Sequence, residues 1–456
     1  MKKLVSVLCL LLISVFLISC VNNNTEHNCL ENQSEWKTDE EIVCGSSVNE
    51  YIECNVCHKT LYTRKKYYNH DLEELASIEP TCSNNGYIDY RCSKCGYEYR
   101  YEISKLGHTV GEFQLLVEPT NTSIGQRAIM CSTCGEPYKT YNYVNNGYFK
   151  HGKLSVNGAD LVNQYGEKVQ LYGLSTHGLQ WFSKFACFET LAAIQSEFGN
   201  NIVRFALTTA EDGYCDGDDD RREQMLSALI RGIDAATKLG LYVIVDWHMV
   251  GAQSVADKNP LTYVKESVEF FSYISELYKD QDNILFEIMN EPNGSTTWAD
   301  CKAYANQVIP AIRQHSDGII LVGNPRWTAD LNSVMRDPLT GYENIMYTYH
   351  FYAADHRNTS QVVNAYASGF PVFISEFGFM YSDGDGSINT TSGENWKKVL
   401  DDRNISYVAW NISNSHCSAS IFKEGTYDIE DVSNSNLKTW GIYLKNWYRS
   451  KSGLDK

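Results

Sequence analysis

Short apolar runs rich in β-branched and aromatic residues recur along the C-terminal two thirds of the chain. Eight such runs can be marked, with starts 26 to 42 residues apart: 169–177, 202–207, 242–248, 284–291, 319–324, 345–352, 372–378 and 407–413. The segments between the runs are long enough to hold helices. Eight buried strands that alternate with helices over about 300 residues predict an α/β fold, a (β/α)8 TIM barrel.

Two of the intervening segments show the period of a helix, and a shorter one shows the period of strands. Apolar residues in 221–239 include Met225, Leu229 and Ile233, and 261–278 has a similar pattern. Residues 153–169 alternate apolar and polar positions around Asn157 and Gly158, a typical hairpin turn. We expect this hairpin to precede the first barrel strand and to close the barrel floor.

The first twenty residues have the pattern of an export signal. Lys2 and Lys3 precede an apolar run that is too short for a comfortable membrane span, and Leu17-Ile18-Ser19-Cys20 resembles a bacterial lipobox. We therefore predict that residues 1–20 are a lipoprotein signal peptide. A lipid on Cys20 would anchor the exported chain to a membrane at the bacterial cell surface. The alternative is a plain signal peptide with a chance cysteine.

Residues 21–150 contain an internal repeat of cysteines and histidines. Cys44, Cys54, Cys57 and His70 recur 38 residues later as Cys82, Cys92, Cys95 and His108. A third copy keeps Cys131 and Cys134 but lacks the leading cysteine and the histidine. This spacing indicates a duplicated small module. The repeats resemble short modules of bacterial surface proteins, which names no activity and no partner.

Three cysteines and one histidine per repeat can supply the four ligands of a tetrahedral Zn²⁺. We predict one structural zinc site in each complete, zinc-ribbon-like repeat, with the four residues of that repeat as its ligands. Exported proteins oxidise their thiols, so a module stapled by disulfides is the alternative. Either zinc or disulfide bonds are needed for stability, because a module this small cannot bury a large core.

Charge and composition exclude some classes of function. Lys and Arg number 39 and Asp and Glu 56, so the formal net charge of −17 opposes binding to nucleic acid. Hydrophobic residues make up 43% of the chain, which is typical of a globular protein. We expect three regions: the signal peptide, a Cys/His-rich repeat region at 21–150 and a barrel domain at 151–456.

Polar and aromatic side chains lie at or near the C-terminal ends of the predicted strands. They are His177, Arg204, Asp246, His248, Asn290, Glu291, His350, Tyr352, Glu376 and Trp410. The C-terminal strand ends of a barrel face one shared pocket, where ionisable groups shift one another's pKa values. We therefore predict an active site at this end of the barrel.

Several of these segments resemble signatures of glycoside hydrolase family 5. The segment Ile284-Leu-Phe-Glu-Ile-Met-Asn-Glu-Pro292 carries much of the resemblance, and residues 171–181, 246–248, 350–352, 374–378 and 410–413 add to it in family order. The run from His177 to Trp181 is similar to the bacterial endo-β-1,4-glucanase (cellulase) branch. The resemblance implies a retaining enzyme that hydrolyses a β-glucan polysaccharide and needs no cofactor for catalysis.

The resemblance also implies roles for individual residues. Glu376 would be the nucleophile and Glu291 the acid/base, with Arg204, Asn290, His350 and Tyr352 in support. The residues expected to bind sugar are His177, Trp181, His248, Trp327 and Trp410. Ser415 and Cys417 stand where the cellulase branch tends to place Lys and Glu, and Thr208 stands where a Tyr is often found. These departures leave open a mannanase, a xyloglucanase or a mixed-linkage glucanase.

Two further classes of function compete with this interpretation. A metal-dependent barrel hydrolase would want a His-x-His pair on an early strand, and the first two runs have none. A non-catalytic glycan-binding surface lipoprotein would be expected to lose Glu291 or Glu376, and both residues are present.

Overall fold

The computed structural model describes residues 27–120, 122–249 and 258–455. The predicted signal peptide and Cys20 lie outside the described residues. No helix in these ranges is both long and apolar enough to cross a membrane. The chain forms two compact units, of which the smaller comprises the described residues up to Gly111 together with Cys131–Glu136. The larger comprises Glu112–Met130 and the chain from Pro137 onward.

The smaller unit is built from antiparallel hairpins that turn at Cys-x-x-Cys. Strands β1 (Ser46–Glu53) and β2 (Thr60–Tyr68) form the first hairpin. Strands β3 (Leu72–Ile78), β4 (Gly86–Cys92) and β5 (Glu98–Ile103) form a three-stranded sheet, in which β4 and β5 are the second hairpin. Each repeat therefore contains one hairpin with a Cys-x-x-Cys turn, which is consistent with the constant offset of 38 residues.

The third repeat forms a similar sheet, but its strands belong mainly to the larger unit. This sheet consists of β6 (Val110–Val117), β7 (Gly125–Cys131) and β8 (Pro137–Tyr143). The Arg127 guanidinium donates to the Leu239 carbonyl at 2.9 Å, and the Phe113 ring meets Phe188 edge-on at 5.0 Å. The boundary predicted at residue 150 therefore does not coincide with the boundary between the two compact units.

The larger unit contains a closed barrel of eight parallel strands. They are β11 (Tyr172–Thr176), β12 (Ile202–Thr208), β13 (Tyr242–His248), β14 (Ile284–Glu287), β15 (Ile320–Val322), β16 (Ile345–Tyr352), β17 (Val372–Gly378) and β18 (Tyr407–Ile412). Each strand pairs with its neighbour in sequence, and β11 pairs with β18 to close the ring. The predicted (β/α)8 barrel is confirmed, and all eight runs contain a strand.

Helices connect the strands and cover the outside of the barrel. Before the barrel comes the short α1 (Tyr148–His151). The others are α2 (Leu179–Phe182), α3 (Phe188–Phe198), α4 (Asp219–Leu239), α5 (Val264–Leu277), α6 (Trp298–Arg313), α7 (Pro325–Thr328), α8 (Leu331–Arg336), α9 (Ser360–Ala367), α10 (Thr390–Asp402) and α11 (Thr439–Ser452). The Asp218 side chain caps α4, and Gly240 ends it in a left-handed conformation. The helices predicted at 221–239 and 261–278 correspond to α4 and α5.

The floor of the barrel is closed by a short hairpin, as predicted. Strands β9 (Ser155–Asn157) and β10 (Asp160–Val162) pair around the Asn157-Gly158 turn. Leu154 and Leu161 are buried in one apolar cluster with Ile202, Ile244 and Phe373 from the N-terminal halves of the strands. This packing seals one end, so the polar side chains of the strands face a pocket only at the other end.

Candidate active site

Arg204 on β12 is the hub of the polar residues at the C-terminal end of the barrel. Its side chain is fully buried, and its Nη1 lies 3.2 Å from Glu376 Oε2. Its Nε lies 2.7 Å from Glu287, while Nη2 lies 2.9 Å from Asp246 and donates to Asn290 Oδ1 at 2.6 Å. An arginine without access to water requires such carboxylate partners. The guanidinium therefore fixes four acceptors from strands β13, β14 and β17 and the segment after β14.

Glu376 on β17 accepts one hydrogen bond at each carboxylate oxygen. Tyr352 Oη donates to Oε1 at 2.8 Å, and Arg204 Nη1 donates to Oε2 at 3.2 Å. Burial and the neighbouring Glu376 raise the pKa of Tyr352 well above its usual range, so its hydroxyl stays protonated. The two donors hold the Glu376 carboxylate in one orientation.

Glu291 follows β14 and lies across the pocket from Glu376. Its Oε1 is 2.9 Å from His350 Nδ1, while His350 Nε2 is 2.9 Å from Ser375 Oγ. Burial opposes a charge on His350, but contacts with Glu287 and Glu291 dominate and raise its pKa to about 9. Carboxylate oxygens of Glu291 and Glu376 lie within 4.8 Å of each other. The two carboxyls are therefore close together but have separate partners.

The segment after β14 and helix α7 hold Asn290 beside this pair. Asn290 Oδ1 is occupied by Arg204, and its Nδ2 donates to the Met249 carbonyl at 3.0 Å. One N–H of the amide remains for another acceptor. Thr328 Oγ1 donates to the Asn290 carbonyl at 2.5 Å, and Trp327 N donates to the Pro292 carbonyl at 3.0 Å. These bonds tie α7 to the segment that carries Asn290.

Helix α7 has a left-handed backbone that no glycine explains. Arg326, Trp327 and Thr328 have φ values of 63°, 54° and 55°. Such a conformation is costly for residues with a β-carbon and is retained where surrounding contacts enforce it. Trp327 is 54% exposed, while its N–H is held by the carbonyl of Pro292, the residue after Glu291.

Aromatic rings and two histidines line the side of the pocket near β18. The Trp410 ring stacks on His248 at 5.1 Å and lies 5.2 Å from His177. His177 in turn meets the edge of Trp181, whose side chain is 50% exposed. The structure therefore brings His177, Trp181, His248 and Trp410 together, and it places Trp327 beside Pro292.

Both histidines of this group are neutral at ordinary pH. Burial is the main cause that lowers the pKa of His248 to about 4 and that of His177 to about 3. His248 Nδ1 bonds Asp246 at 2.7 Å, so its Nε2 is an acceptor. His177 Nδ1 accepts from Gly178 N at 2.7 Å, so its Nε2 carries the proton. The pocket thus offers one imidazole donor and one acceptor to a neutral ligand.

Glu287 is a residue of this site that the sequence analysis missed. It is fully buried on β14, and it accepts from Arg204 Nε at 2.7 Å and from Ser375 Oγ at 2.6 Å. Burial raises its pKa, but Arg204 and His350 outweigh burial and lower the pKa to about 2. The sequence signal was present, since a charged residue inside a buried strand needs a counterion.

The acidic pocket differs from a metal site, because its potential ligand atoms already have partners within the protein. Glu291, His350 and Glu376 are close enough to share a cation. However, both oxygens of Glu376 accept from protein donors, and both ring nitrogens of His350 contact protein partners. The protein therefore already satisfies these ligand atoms, which fits acid–base chemistry better than metal binding.

Lys438 organises the loop after β18. Lys438 Nζ donates to the carbonyls of Ser415, His416 and Cys417 at 2.7, 3.0 and 2.7 Å. Ser415 Oγ contacts Ser420 Oγ at 2.5 Å. Lys438 therefore fixes the backbone of the loop that contains Ser415 and Cys417, the two departures from the family pattern.

The cysteines of the smaller unit cluster differently from the prediction. The clusters are His27, Cys29, Cys54 and Cys57; Cys44, His70, Cys92 and Cys95; and Cys82, His108, Cys131 and Cys134. The predicted grouping of four residues within one repeat is wrong, because Cys44 and His70 lie at the open end of the first hairpin and Cys54 and Cys57 at its turn. Each cluster could hold a metal ion.

A family model described as "Cellulase (glycosyl hydrolase family 5)" matches residues 162–416. Endoglucanase A of Butyrivibrio fibrisolvens is 38% identical over 308 residues, which cover 66% of this chain and 70% of that relative. An endoglucanase of Clostridium saccharobutylicum is 34% identical, and the match covers 64% of each chain. The matched part thus spans about two thirds of these relatives.

A solved structure extends the similarity to three dimensions. The catalytic domain of an endoglucanase from Thermobifida fusca, crystallised as a variant in complex with cellotetraose, is 33% identical to this chain. The match has a TM-score of 0.60 and covers 66% of this chain and 99% of that domain. The similarity therefore includes the whole catalytic domain of that enzyme.

Proposed function

Because the chain belongs to glycosyl hydrolase family 5, the cellulase family, we propose that it is a retaining endo-β-1,4-glucanase. The close pair Glu291 and Glu376, whose carboxylate oxygens lie within 4.8 Å of each other, supports this mechanism. Carboxyl groups about 5–5.5 Å apart favour a covalent, retaining route, whereas inverting enzymes leave a wider gap for water.

In the first step Glu376 attacks the anomeric carbon and Glu291 gives its proton to the departing glycosidic oxygen. The C–O bond to the leaving sugar breaks as the bond to a Glu376 oxygen forms. Arg204 and Tyr352 hold the Glu376 carboxylate in position before the attack. His350 donates to Glu291 Oε1, so the opposite oxygen is the one available to carry the proton.

In the second step water replaces the enzyme at the anomeric carbon. Glu291, now a carboxylate, accepts a proton from the water, and the glycosyl–Glu376 bond breaks to give a product with the original configuration. Glu291 is thereby reprotonated and Glu376 is released as a carboxylate. The remaining N–H of Asn290 is placed to bind the sugar 2-hydroxyl, a contact that strengthens in the transition state.

Sugar binding is assigned to the aromatic residues and to the two neutral histidines. Trp410 would form the floor of the cleavage subsite, with the His177 and His248 nitrogens bonding hydroxyls. Trp181 and Trp327 expose flat faces suited to stacking on glucose units farther along a chain. Sites for several units favour cleavage within a polymer, and the related T. fusca domain is known in complex with cellotetraose.

Glu376→Ala tests the nucleophile. We expect turnover of carboxymethylcellulose to fall by at least about 10³-fold while the fold is retained, because a nucleophile that acts as part of a unit has large, non-additive effects. Added azide should restore cleavage and yield the inverted product. The exposed Glu343→Ala, just before β16, is the matched control. Near-normal activity of Glu376→Ala would refute the assignment.

The preferred glucan is tested with a panel of polysaccharides. Carboxymethylcellulose, barley β-glucan, xyloglucan and glucomannan should be compared at equal enzyme concentration. A β-1,4-glucanase cleaves carboxymethylcellulose as a principal substrate. Cleavage confined to glucomannan or xyloglucan would replace the glucanase by the corresponding β-glycanase, without changing the roles of Glu291 and Glu376.

We further propose that the protein is an exported lipoprotein whose repeats hold structural zinc. The lipobox-like segment that ends at Cys20 supports lipid anchoring at the cell surface. Labelled palmitate should be incorporated into the chain but not into Cys20→Ser, and equal incorporation would contradict the anchor. The three Cys/His clusters support the zinc proposal.

A further inference from the structure

We propose that the repeats form three zinc sites, each built by two successive segments of the chain rather than within one repeat. The Cys-x-x-Cys turn of one hairpin supplies two ligands, and the segment before that hairpin supplies a cysteine and a histidine. This inference deepens the proposed zinc binding and does not depend on the proposed glucanase activity.

Hairpin geometry requires the ligands to come from different repeats. Strands β1 and β2 separate the open end, which pairs Ser46 with Tyr68, from the turn at Cys54 and Cys57. Eight residues at about 3.3 Å each span about 26 Å, far beyond the reach of one ion. Cys44 and His70 therefore cannot join Cys54 and Cys57, and they meet the turn of the next repeat instead.

The distances between ligand atoms match a tetrahedral ion. Sγ atoms lie 3.7 Å apart for Cys29 and Cys57, 3.8 Å for Cys44 and Cys92, and 3.9 Å for Cys82 and Cys131. With Zn–S of about 2.3 Å, a tetrahedron places sulfurs about 3.8 Å apart. A disulfide would need about 2.0 Å, so these atoms are spaced to share an ion rather than a bond.

The sulfur–nitrogen distances agree with the same geometry. Cys54 Sγ lies 3.3 Å from His27 Nε2, Cys95 Sγ lies 3.3 Å from His70 Nδ1, and Cys134 Sγ lies 3.6 Å from His108 Nδ1. Bond lengths of about 2.3 Å to sulfur and 2.0–2.1 Å to nitrogen give about 3.6 Å between the two atoms. All three clusters have the same donor set, three cysteines and one histidine.

The three cysteine turns share one backbone structure. The N–H groups of His58, Gly96 and Gly135 donate to the carbonyl of the first cysteine of their turn at 2.8, 2.9 and 2.8 Å. These residues all have positive φ, at 57°, 75° and 74°. His58 takes the strained conformation without being a glycine, so the turn is maintained by its surroundings.

The smaller unit has almost no apolar core to hold these turns together. Its buried hydrophobic residues are Val48 and five cysteines of the clusters: Cys29, Cys54, Cys82, Cys92 and Cys131. Large apolar side chains such as Leu75, Tyr99 and Leu106 are exposed. Metal binding would therefore supply the stability that burial does not, as in other small metal-dependent modules.

Ligand sharing between successive segments explains why the third repeat lacks two ligand residues and why two extra ligands precede the first repeat. The third repeat needs no leading cysteine and no histidine, because among the described residues no further Cys-x-x-Cys turn follows it. The first turn receives His27 and Cys29, which lie outside the repeat pattern. Three sites, each joining one segment to the next, include every cysteine described in the smaller unit.

The metal content of the full chain tests the number of sites. The chain should be purified in mild detergent without oxygen or added reductant, and zinc and free thiols should be counted per chain. We expect three zinc ions. Loading with Co²⁺ instead should give the ligand-field and thiolate charge-transfer bands of tetrahedral sites. No bound zinc together with paired thiols would overturn the proposal.

Double variants test the register directly. Cys44→Ser and Cys92→Ser should each leave two zinc ions, and combining them should still leave two, because both residues belong to one site. Combining Cys44→Ser with Cys54→Ser should leave one. If the first pair loses two ions and the second pair only one, the ligands belong to single repeats and the proposed register is wrong.

Two controls separate a lost ligand from a lost fold. Cys215→Ser in the larger unit, outside the three clusters, should keep three zinc ions. His70→Cys should also keep three, because a fourth thiolate can replace the imidazole, and it should shift the Co²⁺ bands. Three ions with unshifted bands would count against His70 as a ligand. Carboxymethylcellulose cleavage should persist in all variants, so failure of the zinc sites is distinguishable from failure of the glucanase.

Discussion

At the scale of single residues, the two carboxyls of the pocket differ through their partners rather than their exposure alone. Glu376 accepts from Arg204 and Tyr352, whereas Glu291 is paired with His350. The sequence predicts that these residues share one pocket, because polar residues at strand ends converge in a barrel. Their separate roles are implied only by the resemblance to the family. Glu287 stands out in the sequence only as a charged residue inside a buried strand. Its partners Arg204 and Ser375 are 83 and 88 positions away along the chain, and no local pattern indicates them.

Removing the acid/base should affect substrates according to their leaving groups. Glu291→Ala should slow cleavage of cellulosic oligosaccharides by roughly 10²–10⁴-fold, the usual contribution of a general acid. Aryl cellobiosides with good leaving groups need little protonation, so their first step should be far less affected. Steady-state and burst kinetics on both substrate types check this.

The matched control for Glu291→Ala is again Glu343→Ala, which removes an exposed carboxylate near the opposite end of β16. It should leave both substrate types unchanged. Equal losses on good and poor leaving groups in Glu291→Ala would mean that Glu291 has a structural role.

At the scale of elements, the strands of the barrel were the most predictable feature. Buried parallel strands are nearly continuous apolar runs, so their period is visible without knowledge of their neighbours. The ligand register of the repeats was not predictable in the same way. The grouping of the ligands depends on the length of the hairpin. Successive ligand residues of one repeat, such as Cys44 and Cys54, lie at opposite ends of that hairpin.

Helix α7 is the element whose local structure the sequence did not indicate. Its left-handed residues are held by the Trp327 N–H and the Thr328 hydroxyl, which bond backbone carbonyls on either side of Glu291. Contacts of this kind join residues about 35 positions apart, and no local pattern encodes them.

Thr328→Val should loosen α7 and misplace Asn290 and Glu291. The hydroxyl that donates to the Asn290 carbonyl would be lost, leaving a buried acceptor unpaired at a cost of about 1–3 kcal/mol. We expect kcat to fall by roughly tenfold to a hundredfold, since small misplacements of catalytic groups are costly. Thr328→Ser keeps the hydroxyl and should remain close to the wild type. Equal kinetics of the two variants would show that this hydrogen bond is dispensable.

At the scale of the whole molecule, the chain combines a unit with a large apolar core and a unit whose buried apolar residues are mainly cysteines. Composition alone indicated two kinds of domain, but not that the third repeat's strands would join the larger unit. That assignment depends on long-range contacts such as Arg127 to the Leu239 carbonyl. We therefore expect apolar burial to stabilise the larger unit and metal binding to stabilise the smaller unit.

Stability of the barrel should depend on pH through His350 and Glu287. The pKa of His350 rises from 6.5 to about 9, so its contribution is complete below pH 6.5 and is lost as pH rises toward 9. The pKa of Glu287 falls from 4.5 to about 2, so its contribution is present above pH 4.5 and is lost as pH falls toward 2. From these two groups, the free energy of unfolding should be largest between about pH 4.5 and 6.5.

Urea unfolding across this pH range checks both limbs of the dependence. His350→Gln should flatten the loss above pH 6.5, and Glu287→Gln should flatten the loss below pH 4.5. Curves for both variants that run parallel to the wild type would show that neither group controls the pH dependence.

In the proposed mechanism Glu376 forms a covalent bond to the sugar, and this intermediate can be trapped. A 2-deoxy-2-fluoro cellobioside with a good leaving group should react once and stay attached, because the fluorine removes the 2-hydroxyl contact that aids turnover. Mass spectrometry of the intact chain and its peptides should find one fluorosugar per chain, on Glu376. A label on another residue would show that Glu376 is not the nucleophile, and release of the leaving group without any label would exclude a covalent intermediate.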